Sequence, residues 1–372
     1  MKIFEIITSV HLGGAENFTF NLIEQCTLLH PVKFEFIVVE LYPSKSFYAL
    51  RKKAELRSKG IRIITLSPTN KRWGLVIAPI VLFSKIRKEK PQIIHSHTDL
   101  PDFVLSVVLK FCNLKTTGIV RTIHNTELWG DHFKIGKFVE KSFIQDQIIG
   151  VSVAAKEAYI SMRNRYCLPV SDFSSVIYNG CSIPGKDIHY FKIDKSKINI
   201  AFCGRLVYQK GIDILTSAIK NLDPQIRSKF LFHIVGDGPF REDVMSISDK
   251  FNNVIFYGSV SNLSEKLYDF DYLLIPSRFE GLSLISVESS MSNVPVVPAN
   301  IPGLNETIPK DWPFLFNIDE QNGIEKILTK IASLNFDNER LKQIAFDFVS
   351  DRFCNEKMGK LYSSIYSNYI LK

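Results

Sequence analysis

The sequence has no long hydrophobic run. Its longest uncharged apolar stretch, Leu75 to Phe83, is far shorter than the roughly 20 residues a bilayer-crossing helix needs. Met1-Lys2-Ile3-Phe4-Glu5 leads straight into a strand pattern with no small-residue cleavage site, so no signal peptide is expected. Cysteine is sparse: Cys26, Cys112, Cys167, Cys181, Cys203 and Cys354 are scattered without paired spacing, which argues against a disulfide framework or a zinc site and for a reducing compartment, expected to be the cytoplasm. No nucleic-acid recognition motif or aromatic-interleaved basic stripe is found. Hydrophobic residues make up 45% and charged residues 23% of the chain, so it carries no disordered excess.

What is present is a soluble chain of 372 residues, long enough for two domains. The net charge of +8 is unevenly shared: residues 1–190 hold 25 Lys and Arg against 16 Asp and Glu, and the rest 21 against 22. Such a basic first half is usually solvated surface, but it also suits the inner face of a membrane or an acidic, lipid-linked substrate. The basic stretch Arg51-Lys52-Lys53, Arg57, Lys59, Arg62, Lys71-Arg72 is followed by Trp73 and an apolar segment at helical spacing. Packing on a sheet is its ordinary explanation, membrane contact the minority one.

Short β-branched runs alternate with helix-length segments from end to end, the pattern of an α/β fold with parallel sheets and crossover helices. Seven strands are expected in the first half, from Lys2–Thr8 to Ser174–Tyr178. Residues 182–197, polar and charged, read as a linker. A second series follows: Ile198–Cys203, Lys229–Val235, Val254–Phe256, Asp271–Ile275, Val294–Val297 and Pro313–Phe316. The expected architecture is two doubly wound, Rossmann-like domains, 1–181 and 198–354, with the C-terminal helix 355–372 completing the first. Their sheets would face a cleft, because open α/β sheets bind ligands at their carboxyl edges.

The most informative stretch is Pro276-Ser277-Arg278-Phe279-Glu280-Gly281-Leu282-Ser283-Leu284-Ile285-Ser286-Val287-Glu288. Pro276 ends a strand, and a helix is expected from about Ser283 to Met291. Its first-turn amides, near Leu282 and Ser283, make an anion site with Glu280 before it and Glu288 inside it, suited to a sugar nucleotide. Gly204-Arg205-Leu206-Val207-Tyr208-Gln209-Lys210-Gly211 brings a planar guanidinium and a mobile ammonium to a neighbouring loop, the two cations a departing diphosphate calls for. His11-Leu12-Gly13-Gly14-Ala15-Glu16 is a strand–helix turn without the third glycine of a dinucleotide fingerprint. His124 ends a strand at the carboxyl edge, where an imidazole can donate to a sugar hydroxyl. His95-Ser96-His97-Thr98-Asp99 lacks a third metal ligand at a matching spacing, so a hydrogen-bonded core or substrate-facing role is expected for its histidines. Asp269-Phe270-Asp271 places one carboxylate at a helix end and the other at the start of a buried strand, which argues against a metal pair. Gly236-Asp237-Gly238-Pro239 is a further turn, architectural or beside a nucleotide base.

Together Gly13-Gly14-Ala15-Glu16, Gly204-Arg205 with Lys210-Gly211, Gly236-Asp237-Gly238-Pro239 and, above all, Pro276-Ser277, Glu280-Gly281 and Glu288 resemble the retaining glycosyltransferases of family 4, which have the GT-B fold. Gly303-Leu304-Asn305-Glu306 resembles the family's next loop in a less typical form. Among subgroups the likeness is to bacterial enzymes of capsule, exopolysaccharide or lipopolysaccharide assembly. The resemblance implies an acceptor-binding first domain and a nucleotide-sugar-binding second one. It implies that Glu288 holds ribose hydroxyls and Glu280 donor-sugar hydroxyls. Arg205 and Lys210, with amides near Leu282 and Ser283, would neutralise the diphosphate. His124 would touch the donor sugar, and Gly14 would let its loop close on the phosphates. It further implies a UDP- or GDP-sugar donor, a glycan or lipid-linked acceptor, and no required cofactor or metal. A sugar-nucleotide epimerase and a non-catalytic nucleotide-sugar-binding relative share the architecture and are the alternatives.

Overall fold

A computed structural model describes residues 1–11, 13–68, 71–111, 114, 117–130, 132–187, 189–333 and 338–369. Leu12, Cys112 and the helix end expected at Leu371 lie outside them, as do the side chains of Lys71, Arg72 and Trp73. The chain divides into two compact units, one of Met1–Gly180 with Asn355–Lys372 and one of Cys181–Cys354.

The first unit is built on strands β1 (Lys2–Ile7), β2 (Glu35–Glu40), β3 (Arg62–Thr65), β4 (Ile93–His97), β5 (Gly118–Ile123), β6 (Gln147–Gly150) and β7 (Ser174–Val176), in the order β3-β2-β1-β4-β5-β6-β7. All pairings are parallel. A parallel sheet covered on both faces wants apolar side chains on both. Ile3, Phe4, Ile6, Ile37, Val38, Val39, Ile93 and Ile94 are accordingly fully buried. The helix Asn355–Asn368 returns to this unit and packs Met358, Tyr362 and Tyr366 into its core. Beneath the outer strands Arg121 is buried with Asp102, Glu140 and Asp146, and Arg163 caps the same Glu140. Such a buried cation persists only because it is paired on several sides.

The second unit holds β8 (Ile198–Cys203), β9 (Phe230–Val235), β10 (Val254–Gly258), β11 (Tyr272–Ile275) and β12 (Val296–Pro298), all parallel, in the order β10-β9-β8-β11-β12. The strand expected at Pro313–Phe316 is reduced to one bridge, Ala299 to Phe316. Residues 182–197 pack along this unit. Asp269 accepts the backbone N–H groups of His189, Tyr190 and Phe191, Lys266 pairs with Asp187 at 2.6 Å, and Phe191 is buried. Asp271 accepts from the Asn199 backbone at 2.7 Å. Both carboxylates of Asp269-Phe270-Asp271 thus serve local architecture.

In each unit chain order reverses beside the first strand, between β1 and β4 and between β8 and β11. Loops leaving adjacent strands at such a switch point diverge and leave room for a ligand. Among the described residues no helix is long and apolar enough to cross a membrane, and the five described cysteines form no disulfide.

Candidate functional site

At the switch point of the second unit the loop after β8 meets the loop after β11. Gly211 makes this possible. It adopts φ 68°, and a Cβ on it would stand 1.8 Å from the Pro276 carbonyl oxygen; only glycine tolerates both. The Arg278 amide donates to the Gln209 carbonyl at 2.8 Å, and Gln209 Nε2 to the Phe279 carbonyl at 3.2 Å. Arg278 clamps Asp213 with two bonds of 2.7 Å and lies 3.6 Å from the Tyr208 ring centroid.

Within this frame Glu280 is 5% exposed. Its Oε1 accepts from Lys210 Nζ at 2.6 Å and from Ser277 Oγ at 2.7 Å. The two residues that the sequence pattern assigns to sugar and to diphosphate are therefore paired with each other. Arg205 is exposed and donates to Gln209 Oε1 at 3.2 Å. The next loop presses on the same turn: Gly303 has φ 80°, and its Cβ would lie 2.4 Å from the Glu280 carbonyl oxygen.

The helix Leu284–Met291 starts at Ser283, whose side chain makes no capping bond and whose buried Oγ has no partner among the described residues. The Ser286 and Val287 amides bond the Ser283 carbonyl, whereas those of Leu284 and Ile285 precede the first intrahelical bond. Glu288 sits one turn in. It keeps part of its surface open, yet its surroundings are poor enough in polar groups that burial raises its carboxyl to about 7. No hydrogen bond or ion pair to that carboxyl occurs among the described residues. Burial, then the Glu288 charge, also pushes the Cys203 thiol up. The Gly236 turn packs on the site from below, its Cα hydrogen facing the Gly204 carbonyl where a Cβ would lie at 1.8 Å. A cavity of about 910 Å³ opens beside the site, lined by Tyr208, Arg278, Asn300, Asn317 and Glu320 among others; Arg205, Lys210, Glu280 and Glu288 do not line it.

In the first unit Gly13 caps the helix Gly14–Leu29. A Cβ on Gly13 would strike Glu16 Oε2 at 2.3 Å, whereas one on Gly14 would meet nothing within 4 Å, so Gly14 fronts open space. His124 follows β5 and is partly exposed. Behind it stands a group whose size the sequence did not reveal. Glu5 lies in register with His95 on the neighbouring strand, so the third acidic or imidazole group missing from the His95–Asp99 stretch is supplied by β1. Glu5, His95 and His97 bring ligand atoms within 4.8 Å of one another and are the described residues best placed to hold a metal. Every one of those atoms is engaged in a hydrogen bond. His95 reaches Tyr366 and Thr122 at 2.7 Å each, His97 reaches Glu5 at 2.7 Å and His124 at 3.2 Å, and Tyr366 donates to Glu5 at 3.1 Å. The signal in the sequence was Glu5 itself, a lone carboxylate inside an apolar parallel strand, which must find partners.

Residues 197–334 match the family described as Glycosyl transferases group 1. The chain is 29% identical over 316 residues to an uncharacterized 41.2 kDa protein in the cps region of Klebsiella pneumoniae, covering 78% of this chain and 82% of that one. It is 25% identical over 297 residues to the O-antigen biosynthesis glycosyltransferase WclY of Escherichia coli, covering 74% and 79%. In structure it is similar to HepE of Anabaena, solved in complex with UDP and glucose, with a TM-score of 0.77 and 17% identity over 99% of this chain and 100% of that one. The resemblance to glycosyltransferases read in the sequence is thus borne out, with residues 197–334 matching the group 1 family, and the two parallel-sheet units are those of the GT-B fold.

Proposed function

We propose that the protein is a retaining glycosyltransferase of family 4 that moves a sugar from a UDP- or GDP-sugar to a glycan or lipid-linked acceptor in cell-surface polysaccharide assembly. One observation carries the reading furthest: the loop bearing Arg205 and Lys210 is fastened to the Glu280 turn, directly before a helix start with Glu288 one turn inside. A cation pair, a helix N-terminus and a carboxyl open to hydroxyl donors are what a sugar nucleotide's diphosphate and ribose require. The similarity to an O-antigen biosynthesis glycosyltransferase and to a cps-region protein supports the pathway, and that to HepE, solved in complex with UDP and glucose, supports the donor class.

In this reading Glu288 accepts from ribose hydroxyls, and Arg205 with the amides near Leu282 and Ser283 meets the diphosphate. Lys210 bridges Glu280 to the phosphates, so that the Glu280 carboxylate and the leaving charge share one cation. Glu280 and Ser277 contact the donor sugar. In the first unit Gly14 and His124, both at the carboxyl edge of the seven-stranded sheet, contact substrate. The reaction forms a bond from the acceptor oxygen to the anomeric carbon and breaks the anomeric carbon–phosphate oxygen bond on the same face. The acceptor proton passes to a phosphate oxygen of the departing diphosphate. No side chain is then required as nucleophile, and the protein contributes positioning and charge stabilisation, without a required metal. Titration with UDP and GDP tests the site: Lys210→Ala and Glu288→Ala should each weaken binding at least about tenfold, the effect of roughly one lost charge-assisted hydrogen bond, and wild-type affinity in both variants would remove the assignment.

A further inference from the structure

Resting on the reading of His124 as a substrate contact, we infer that Glu5 and His97 are positioning residues that fix His124 as its Nε2–H tautomer, leaving Nδ1 as a bare acceptor for a substrate hydroxyl. The sequence alone suggested an imidazole that donates. The hydrogen bonds behind it reverse that polarity.

The argument starts at the buried end. Glu5 has no exposed surface, and its two oxygens are divided between partners, Oε1 to Tyr366 and Oε2 to His97, with His95 Nδ1 3.2 Å from Oε2. Both oxygens of the Glu5 carboxylate face groups that can donate to it. An ionised carboxylate only accepts, so the nitrogen facing it, His97 Nε2, carries hydrogen. Buried between that carboxylate and a second imidazole, the neutral His97 ring has its one proton already placed on Nε2, and its Nδ1 is a lone pair.

That lone pair faces His124 Nε2 at 3.2 Å. Two bare nitrogens at this distance would repel, so the proton between them belongs to His124. The neutral His124 ring has a single proton, so its Nδ1 is left without one. No other hydrogen bond to this ring occurs among the described residues. Phe18 packs edgewise on both rings, 5.7 Å from His97 and 5.0 Å from His124, which restrains their rotation. His95 is tied separately to Tyr366 and Thr122, so it does not compete for His97. A neutral acceptor nitrogen attracts an O–H and repels phosphate or carboxylate oxygens. The group that meets His124 is accordingly a sugar or acceptor hydroxyl and not the diphosphate.

The full chain labelled with ¹⁵N-histidine, at neutral pH, provides the test by long-range ¹H–¹⁵N spectra. The wild-type protein should show His124 with a slowly exchanging proton on Nε2 and a ¹⁵N–¹⁵N coupling across the bond to His97 Nδ1. His97→Phe should abolish the coupling and release His124 into exchange between tautomers. His97→Gln, whose amide can donate to Glu5 and accept from His124, should restore a single Nε2–H species. A proton on His124 Nδ1, or on His97 Nδ1, in the wild-type protein overturns the proposal without any need for a variant. Turnover separates this outcome from failure of the underlying reading. With His124 shown as Nε2–H, a roughly tenfold loss in His97→Phe that His97→Gln recovers supports positioning for substrate. Unchanged turnover in both His97→Phe and His124→Ala overturns the substrate role.

Discussion

Lys210 Nζ stands 2.6 Å from Glu280 Oε1, on a carboxylate that is almost wholly buried and that also takes the Ser277 hydroxyl. The pair joins residues 70 positions apart and is produced by the strand order, which sets the loop after β8 against the loop after β11. It presents a cation whose charge is partly answered before any ligand arrives. A ligand that draws on Lys210 would therefore be felt directly at the Glu280 carboxylate.

Removing one member of so buried a pair leaves the other poorly compensated. Lys210→Ala should lower stability in urea unfolding by about 2–3 kcal/mol, less than for a fully buried pair because the lysine is 21% exposed. The double variant Lys210→Met, Glu280→Gln should recover much of that loss. An unchanged unfolding midpoint in the single variant would contradict this.

Gly211→Ala should be more damaging than its size suggests. A Cβ would press on the Pro276 carbonyl at 1.8 Å while φ stays at 68°, so the two loops must part. A loss of more than about 2 kcal/mol is expected, with nucleotide affinity falling in parallel. Thermal unfolding with and without UDP reads both, and a neutral substitution would show that the loops are not fastened there.

Glu288 supplies a pH signature. Its carboxyl sits at about 7, against 4.5 without burial. The folded protein thus binds more protons than the unfolded chain between those values, and stability falls as pH rises from about 4.5 to about 7, by up to about 3 kcal/mol. Ribose hydroxyls donating to Glu288 favour its ionised form, so nucleotide binding should release a proton, and affinity should rise with pH until about 7 and then level off. Calorimetry in buffers of different ionisation enthalpy should count that proton in the wild-type protein and not in Glu288→Gln. Equal proton release in both would place the ribose elsewhere.

How much of this was legible beforehand varied with the range of the interaction. Continuous apolar runs such as Ile37–Val39 and Leu273–Ile275 announced buried parallel strands, because both faces are covered. Pro313–Phe316 reads as similar, yet its pairing is a single bridge from Phe316 to Ala299. The Glu280 turn and the helix beginning at Leu284 were readable because proline, glycine and serine act on their own neighbours. The pairing of Lys210 with Glu280, and of Glu5 with His97, was not, since each depends on which strands lie side by side.

The basic first half has a counterpart in the first unit. In the helix Phe133–Glu140, Phe133, Ile135 and Phe138 are exposed alongside Lys134, with Lys137 and Lys141 adjoining. We propose that this face meets the anionic inner surface of a membrane, where apolar side chains insert and lysines hold headgroups. Sedimentation with phosphatidylglycerol vesicles should show binding that weakens as salt rises and that falls several-fold in Phe133→Ser, Phe138→Ser. Indifference to anionic lipid at low salt would leave the face as ordinary surface.

The central claim, retaining transfer from a sugar nucleotide, is tested most directly by incubating the protein with UDP-, GDP- and ADP-sugars and acceptor glycans, following the anomeric proton by NMR. The account predicts release of nucleoside diphosphate with a product linkage of the donor's own anomeric configuration. An inverted linkage, epimerised donor without transfer, or binding without turnover would contradict it.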